Sequence, residues 1–205
     1  MGELLQAFLV PLYRIGRLLK FDQEVFNEIR DAKNISLKPS ITIIVISTLL
    51  AGLGSFLFWE ISGPASGVSG VFVNTFVFGS LFMALLYIEC LLVIFVILVQ
   101  VFRINVDLHA LLCVGGYAAV PLGLSVFMAI PFIYPLFAIL PISLMFLFLV
   151  QGIQAVSKEK TSKVFFATLL GFATMVAALG IISVLFSNPD APIGAGPFGI
   201  FLRLS

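Results

Sequence analysis

Glu89 is the only charged residue between Val71 and Phe102, and it stands about 12 positions, roughly 18 Å along a helix, from the basic end of that stretch. A charge at that depth in hydrocarbon costs at least ~2.5 kcal/mol, so this carboxyl is expected to face protein and to be protonated or paired. Counting inward by the same distance from the basic ends of the neighbouring apolar stretches brings Tyr117, Ser143 and Thr174 to a similar level. Two chemistries suit such a polar layer. Glu89 could be a proton, cation or substrate site of a small transporter or channel, or a carboxyl that hydrogen-bonds a neighbouring helix. The residues leave both open.

Other reactive residues are sparse. Arg103, Asp107 and His109 cluster at one end of an apolar run, where an imidazole can sense pH or meet a partner, although interfacial residues of these types are commonly plain surface. Gly67, Val68, Ser69 and Gly70 spell the GxSG of intramembrane serine proteases. The single histidine, His109, falls a membrane thickness away, so no nucleophile and base can meet. Cys90 and Cys113 lie in apolar segments and read as small buried hydrophobes. No metal-ligand cluster, phosphate loop or paired carboxylates on one helix face occur. No metal, cofactor or enzymatic role is therefore expected.

The elements that must position these groups follow from the solvent of the chain. Between Leu108 and Ser157 there is no Asp, Glu, Lys or Arg, and Pro121, Pro131, Pro135 and Pro141 interrupt the run. As one helix it would measure roughly 75 Å against a hydrocarbon core of about 30 Å, so it crosses a bilayer twice. Hydrophobic residues make up 61% of the 205 positions and charged ones 10%, far below the charge of a soluble domain. A net charge of +1 gives no footing for nucleic acid. With Ile41 to Trp59, Val71 to Phe102 and Val164 to Pro189, the plan is an all-α, polytopic membrane bundle of five transmembrane helices. The expected spans are 40–60, 72–101, 108–130, 134–156 and 163–186, the second tilted or beginning as an interfacial turn near Gly79.

Ten of the eleven basic residues fall on one side of this plan, the exception being Arg203. Because basic residues are retained on the cytoplasmic side, the N-terminus is expected in the cytoplasm and the C-terminus outside or in a lumen. Arg14, Arg17 and Lys20 follow the first apolar stretch, which argues against a cleavable signal.

Residues 1–38 form a cytoplasmic region ahead of the 39–186 membrane domain. Leu4, Leu5, Phe8, Leu12, Ile15 and Leu19 keep a helical period, as do Phe21, Val25, Phe26, Ile29 and Ala32. Asp22 is placed to cap the second segment. Such amphipathic helices lie on the membrane surface as an in-plane anchor, pack under the bundle, or offer a docking surface. Small residues at Gly115, Ala119 and Gly123, at Ala51 and Ser55, and at Ala173 and Ala177 permit close helix contact, and Pro121 predicts a kink. Residues 187–205, rich in Gly and Pro yet apolar at Phe198, Ile200, Phe201 and Leu202, are expected to fold back onto the membrane or a neighbouring subunit.

Three segments together resemble the Yip family, membrane proteins first defined as interactors of Ypt/Rab GTPases, in its bacterial and archaeal form. Phe21–Ile29, FDQEVFNEI, is similar to the helix before the first span, with its FxxI step. Val114–Pro121, VGGYAAVP, resembles the Gly-Tyr and following proline of the third span, and Ser157–Lys163, SKEKTSK, the short hairpin before the last. The resemblance covers about residues 20–186. It implies a five-span fold and a prokaryotic cell membrane; the eukaryotic relatives are linked to membrane traffic and membrane shaping, the prokaryotic ones have no settled activity, and no family catalytic residue carries over. The long acidic N-terminal region of the eukaryotic relatives is missing, which argues against GTPase binding. The reading that results is a non-enzymatic scaffold in the lipid bilayer, with membrane-protein partners or self-association.

Overall fold

A computed structural model describes residues 2–31, 36–61, 72–159 and 162–185, and every regular element among them is helical. Two helices, α1 (Gly2–Leu18) and α2 (Glu24–Asp31), precede α3 (Leu37–Ile61), α4 (Gly79–Val96), α5 (Leu108–Ala118), α6 (Tyr134–Ser157) and α7 (Ser162–Leu185). Five helical stretches are long and apolar enough to cross a membrane: Leu37–Ile61, Thr75–Val101, Leu108–Ala129, Pro131–Ser157 and Ser162–Ile181. These agree with the expected spans to within a few residues. The chain is thus an all-α bundle of the multi-pass integral membrane type, with amphipathic helices ahead of it. Lys33, the 62–71 loop with its GxSG, Lys160 and the 187–205 tail lie outside the described residues.

The second span changes pitch at both ends. It enters as a π-helix, Phe72–Phe78, tightens to α at Gly79, and leaves as a second π-helix, Ile97–Val101. The third span changes pitch at Pro121. Pro121 has no N–H to donate and its ring opposes an α-helical carbonyl four residues back, so α5 stops at Ala118 and the span continues as a 3₁₀-helix over Val120–Ala129. At ~2.0 Å per residue this segment adds about 20 Å, and the span still crosses the hydrocarbon.

The third span is the axis of the bundle: 67% of its core window is buried, against 33–44% for the other four. It lies between α3 and α6, while α7 packs on α4 and α6. Lipid offers no hydrophobic drive to hold apolar helices together, so close backbone approach must do so. A Cβ on Gly116 would stand 2.3 Å from Cβ of Ser40 on α3, and one on Gly54 would stand 2.3 Å from the carbonyl of Ser125 in the 3₁₀ segment. Gly115 meets the Leu91 side chain of α4, and Gly123 meets Leu50. Ala119 and Pro121 are buried on the same span. Ala173 and Ala177, in contrast, are exposed. It is Gly171, pressed to within 3.0 Å of the Cys90 carbonyl by the same measure, that brings α7 against α4.

Ahead of the spans, α2 belongs to the core. Its Val25, Phe26 and Ile29 are 0–1% exposed, packed on α5 and α6. Phe26 meets Phe148 edge-on at 6.2 Å, and an N–H of Arg30 donates to the Ala155 carbonyl in the last turn of α6 at 2.7 Å, a helix end that favours a cation. Asp22 caps as expected, its Oδ1 accepting from the Glu24 N–H at 3.1 Å.

Candidate functional site

The four members of the expected polar layer do not converge. Ser143 is exposed and its hydroxyl donates to the Ile139 carbonyl of its own helix at 3.2 Å. It lines an open, apolar groove with Phe146, Leu147, Leu169 and Phe172. Thr174 is exposed too and donates to the Gly171 carbonyl at 2.7 Å. The physical reason is local: a Ser or Thr hydroxyl on a helix satisfies itself on the preceding turn, so similar depth does not require these residues to turn inward.

Glu89 and Tyr117 do shelter polar atoms. Glu89 is half-buried at the border between the protein-facing side of α4, which carries Met83, Tyr87, Cys90, Leu91 and Ile94, and the outward side, which carries Leu81, Leu85, Ile88 and Leu92. Its Oε2 is buried with no hydrogen-bond partner among the described residues. Tyr117, 2% exposed, likewise buries an unpartnered hydroxyl. Its ring is covered from outside the spans, because the guanidinium of Arg14 on α1 stands 6.0 Å from the ring centroid, at the limit of a cation–π contact.

At the basic end of the third span, Arg103, Asp107 and His109 have separate roles. Arg103 turns the corner after the second span in the left-handed conformation, φ 55°. Asp107 is the N-cap of α5, its Oδ2 accepting from the Ala110 N–H at 2.9 Å. His109 is exposed, with its Nδ1 3.9 Å from Sγ of Cys113. No ion pair joins the three among the described residues.

The ion pairs lie instead in the α1–α2 hairpin. Arg17 spans to Asp22 at 2.7 Å and to Glu28. The hydrogen bond from Arg17 holds the Asp22 carboxyl below its ordinary range, and the bond from Arg30 does the same for Asp31. Phe21 turns the hairpin at φ 59° and meets Phe148 at 5.8 Å. This hairpin gives α1 a fixed seat. From that seat α1 leaves Leu9, Val10, Leu12 and Tyr13 45–68% exposed.

Two features escaped the sequence reading. Arg14 was one of several basic residues in an amphipathic stretch, and nothing local marked it as the one on Tyr117. Ser55, Trp59, Thr75, Ser80 and Tyr134, toward the end opposite the hairpin, bury side-chain N or O atoms with no partner among the described residues. The Trp and Tyr in this set are the interfacial aromatics that membrane proteins place at span ends, a signal the sequence does carry. Comparisons with protein-family models, curated proteins and solved structures find no match to the chain.

Proposed function

We propose that this protein is a non-enzymatic organiser of membrane components, similar to the Yip family, with the α1–α2 hairpin as its contact surface on the cytoplasmic side. The observation that carries this reading is the opposite treatment of the two helices. The short α2 is buried in the core as firmly as a span, whereas α1, held by it, turns apolar side chains outward. A helix so mounted is a presented surface. The resemblance supports the same end of the molecule, because Phe26 and Val114, from two of the similar segments, meet over Gly152. A transport role through Glu89 loses support with Ser143 and Thr174 turned away from the bundle.

The orientation rests on the ten basic residues that the five-span plan places on one side, and puts the hairpin in the cytoplasm. Photocrosslinking in native membranes from a probe at Leu12 should recover a defined set of membrane components whose yield falls at least several-fold when residues 1–20 are deleted. An impermeant thiol reagent should reach Ser162→Cys only after permeabilisation. An unchanged crosslinking profile after the deletion, or labelling of Ser162→Cys in intact cells, sinks this reading.

A further inference from the structure

Glu89 is the polar group of the spans that the fold leaves without a partner on its open side. It stands at mid-membrane, half-buried, and its carboxyl makes no hydrogen bond or ion pair among the described residues. Lipid tails cannot supply the missing bond, and intramembrane ionisable residues face protein or water because hydrocarbon penalises them. Its neighbours on the outward side of α4 are Leu85, Ile88 and Leu92, which offer no route for water. The partner of this carboxyl comes from outside the chain.

The surface around Glu89 has the pattern of a helix contact. Leu85, Glu89, Leu92 and Val96 follow one another at steps of four, three and four residues, the spacing with which one helix packs along another. The three apolar members are 43–56% exposed. On α7, Leu170, Thr174, Ala177 and Ile181 repeat the same steps, and all four are exposed. Gly171 holds α7 against the Cys90 carbonyl, and the second and fifth spans run in opposite directions, so Thr174 stands within about one turn of the level of Glu89. Thr174 and Ala177 are small and leave room for backbones to approach. The outward side of α6 is as open, but its Ser143 hydroxyl is satisfied on its own helix, and lipid covers that side without loss.

The carboxyl itself indicates which partner. In its acid form it has one donor and an acceptor, and is its own complement. Two copies inserted with the same topology are related by an axis along the bilayer normal, which keeps every residue at its own depth. A foreign helix would have to carry a polar group at that depth; a second copy brings one by symmetry, and two-fold pairs are the commonest assemblies. A single polar residue in an apolar packing stripe is also the device that fixes register and the number of helices. We infer that two copies of this chain associate in the membrane through the outer stripe of α4, the two Glu89 carboxyls hydrogen-bonded to each other across a two-fold axis and the small residues of α7 flanking them. This contact lies at mid-membrane, apart from the hairpin, and stands independently of what the hairpin binds.

The full-length protein, labelled in separate batches with donor and acceptor dyes and reconstituted together in phosphatidylcholine vesicles, should show energy transfer that falls on dilution with lipid as a dimer does. Glu89→Leu should weaken the dimer about tenfold, the size of two hydrogen bonds between helices in a bilayer. Glu89→Gln should keep most of the association, because a carboxamide is also its own complement. Ala177→Leu should weaken it less than Glu89→Leu does, and Ser143→Leu, on the outward side of α6, should leave it unchanged. In a Cys90→Ala, Cys113→Ala background, oxidation in membranes should link Leu92→Cys chains in pairs faster than Leu147→Cys chains. A parent that is monomeric at every dilution, a Glu89→Leu protein with parental circular dichroism that associates as the parent does, or equal linking of the two cysteine variants overturns the inference. A monomeric parent in which a photoprobe at Leu92 reaches another membrane protein would overturn it as well, and give the stripe to a foreign helix.

Discussion

The two ends of this bundle are held by different forces. Toward the hairpin, helices are joined by directed bonds: the Ser40 hydroxyl donates to the Cys113 carbonyl at 2.8 Å, the Tyr87 hydroxyl to the Gly115 carbonyl at 2.5 Å, and Arg30 to Ala155. Toward the other end, contact is by shape. Phe58 stacks on Tyr134 with centroids 3.7 Å apart, Phe56 meets Phe72 edge-on at 5.4 Å, and the buried polar atoms of Ser55, Trp59, Thr75, Ser80 and Tyr134 have no partner among the described residues. A buried polar atom without a partner costs about 1–3 kcal/mol, so the far end is the half with less to lose by rearranging. In a solvent that does not push apolar helices together, the bonded end fixes which helices are neighbours. The stacked end holds them by shape, without directed bonds between helices among the described residues.

The sharpest way to break this comparison is to overfill the same kind of contact at each end. Gly116→Ala drives its new Cβ into Ser40, and Gly54→Ala drives one into the backbone of Ser125 and Val126, both at 2.3 Å. The first should cost about 3 kcal/mol, at the upper end for overpacking. The second should cost at least ~1 kcal/mol less, because its surroundings yield. Reversible unfolding in mixed detergent, followed by circular dichroism, reads both against Gly180→Ala, which has no neighbour within 4 Å. Equal losses would mean that the two ends are equally rigid.

A smaller effect sharpens the same contrast. Tyr87→Phe removes a made hydrogen bond and should destabilise by about 1 kcal/mol, the usual size inside a membrane bundle. Tyr134→Phe removes a hydroxyl that bonds to nothing among the described residues while keeping the ring on Phe58. It should be neutral or slightly stabilising in the same unfolding assay. A loss at Tyr134 as large as that at Tyr87 would reveal a bound water or ligand completing the far end.

What the sequence made legible divides along physical lines. The five spans could be read because a bilayer forbids charge over a fixed length, and runs free of charge mark that length directly. Which way a residue faces could not be read, because these spans are apolar on every side and Ser143 and Thr174 bond to their own helix. Hence the spans that carry the candidate layer were legible and its assembly was not. Gly115 was singled out by spacing, while its neighbour Gly116 makes the tighter backbone contact with Ser40. Adjacent glycines point about 100° apart on a helix, and only the position of α3 decides between them.

The mildest perturbation is acid. Arg17 depresses the Asp22 carboxyl by its hydrogen bond, and Arg30 that of Asp31. A group whose folded value lies below its unfolded one contributes stability above the ordinary range near 3.8, and that contribution is lost as the pH falls through the folded value. Hydrogen exchange, corrected for its intrinsic pH dependence, should therefore show α1 and α2 loosening below about pH 4, with the far end unchanged. Uniform loosening of both ends would separate the hairpin's seat from these carboxylates.

The change of pitch after Ala118 gives the outer half of the third span three flat sides, because a 3₁₀-helix repeats every third residue. Leu122, Ser125 and Met128 form one side, all buried; Leu124, Phe127 and Ile130 form another, grading from half-buried to exposed. A round α-helical post would offer a continuous choice of angles to its neighbours. A triangular one offers seats. Two of them serve α3 and α6, the helices with the most extensive packing on this segment, and the third is left toward lipid. With no fourth seat on the post, α4 and α7 lean on one another, and the bundle is built as a gripped axis with a paired buttress.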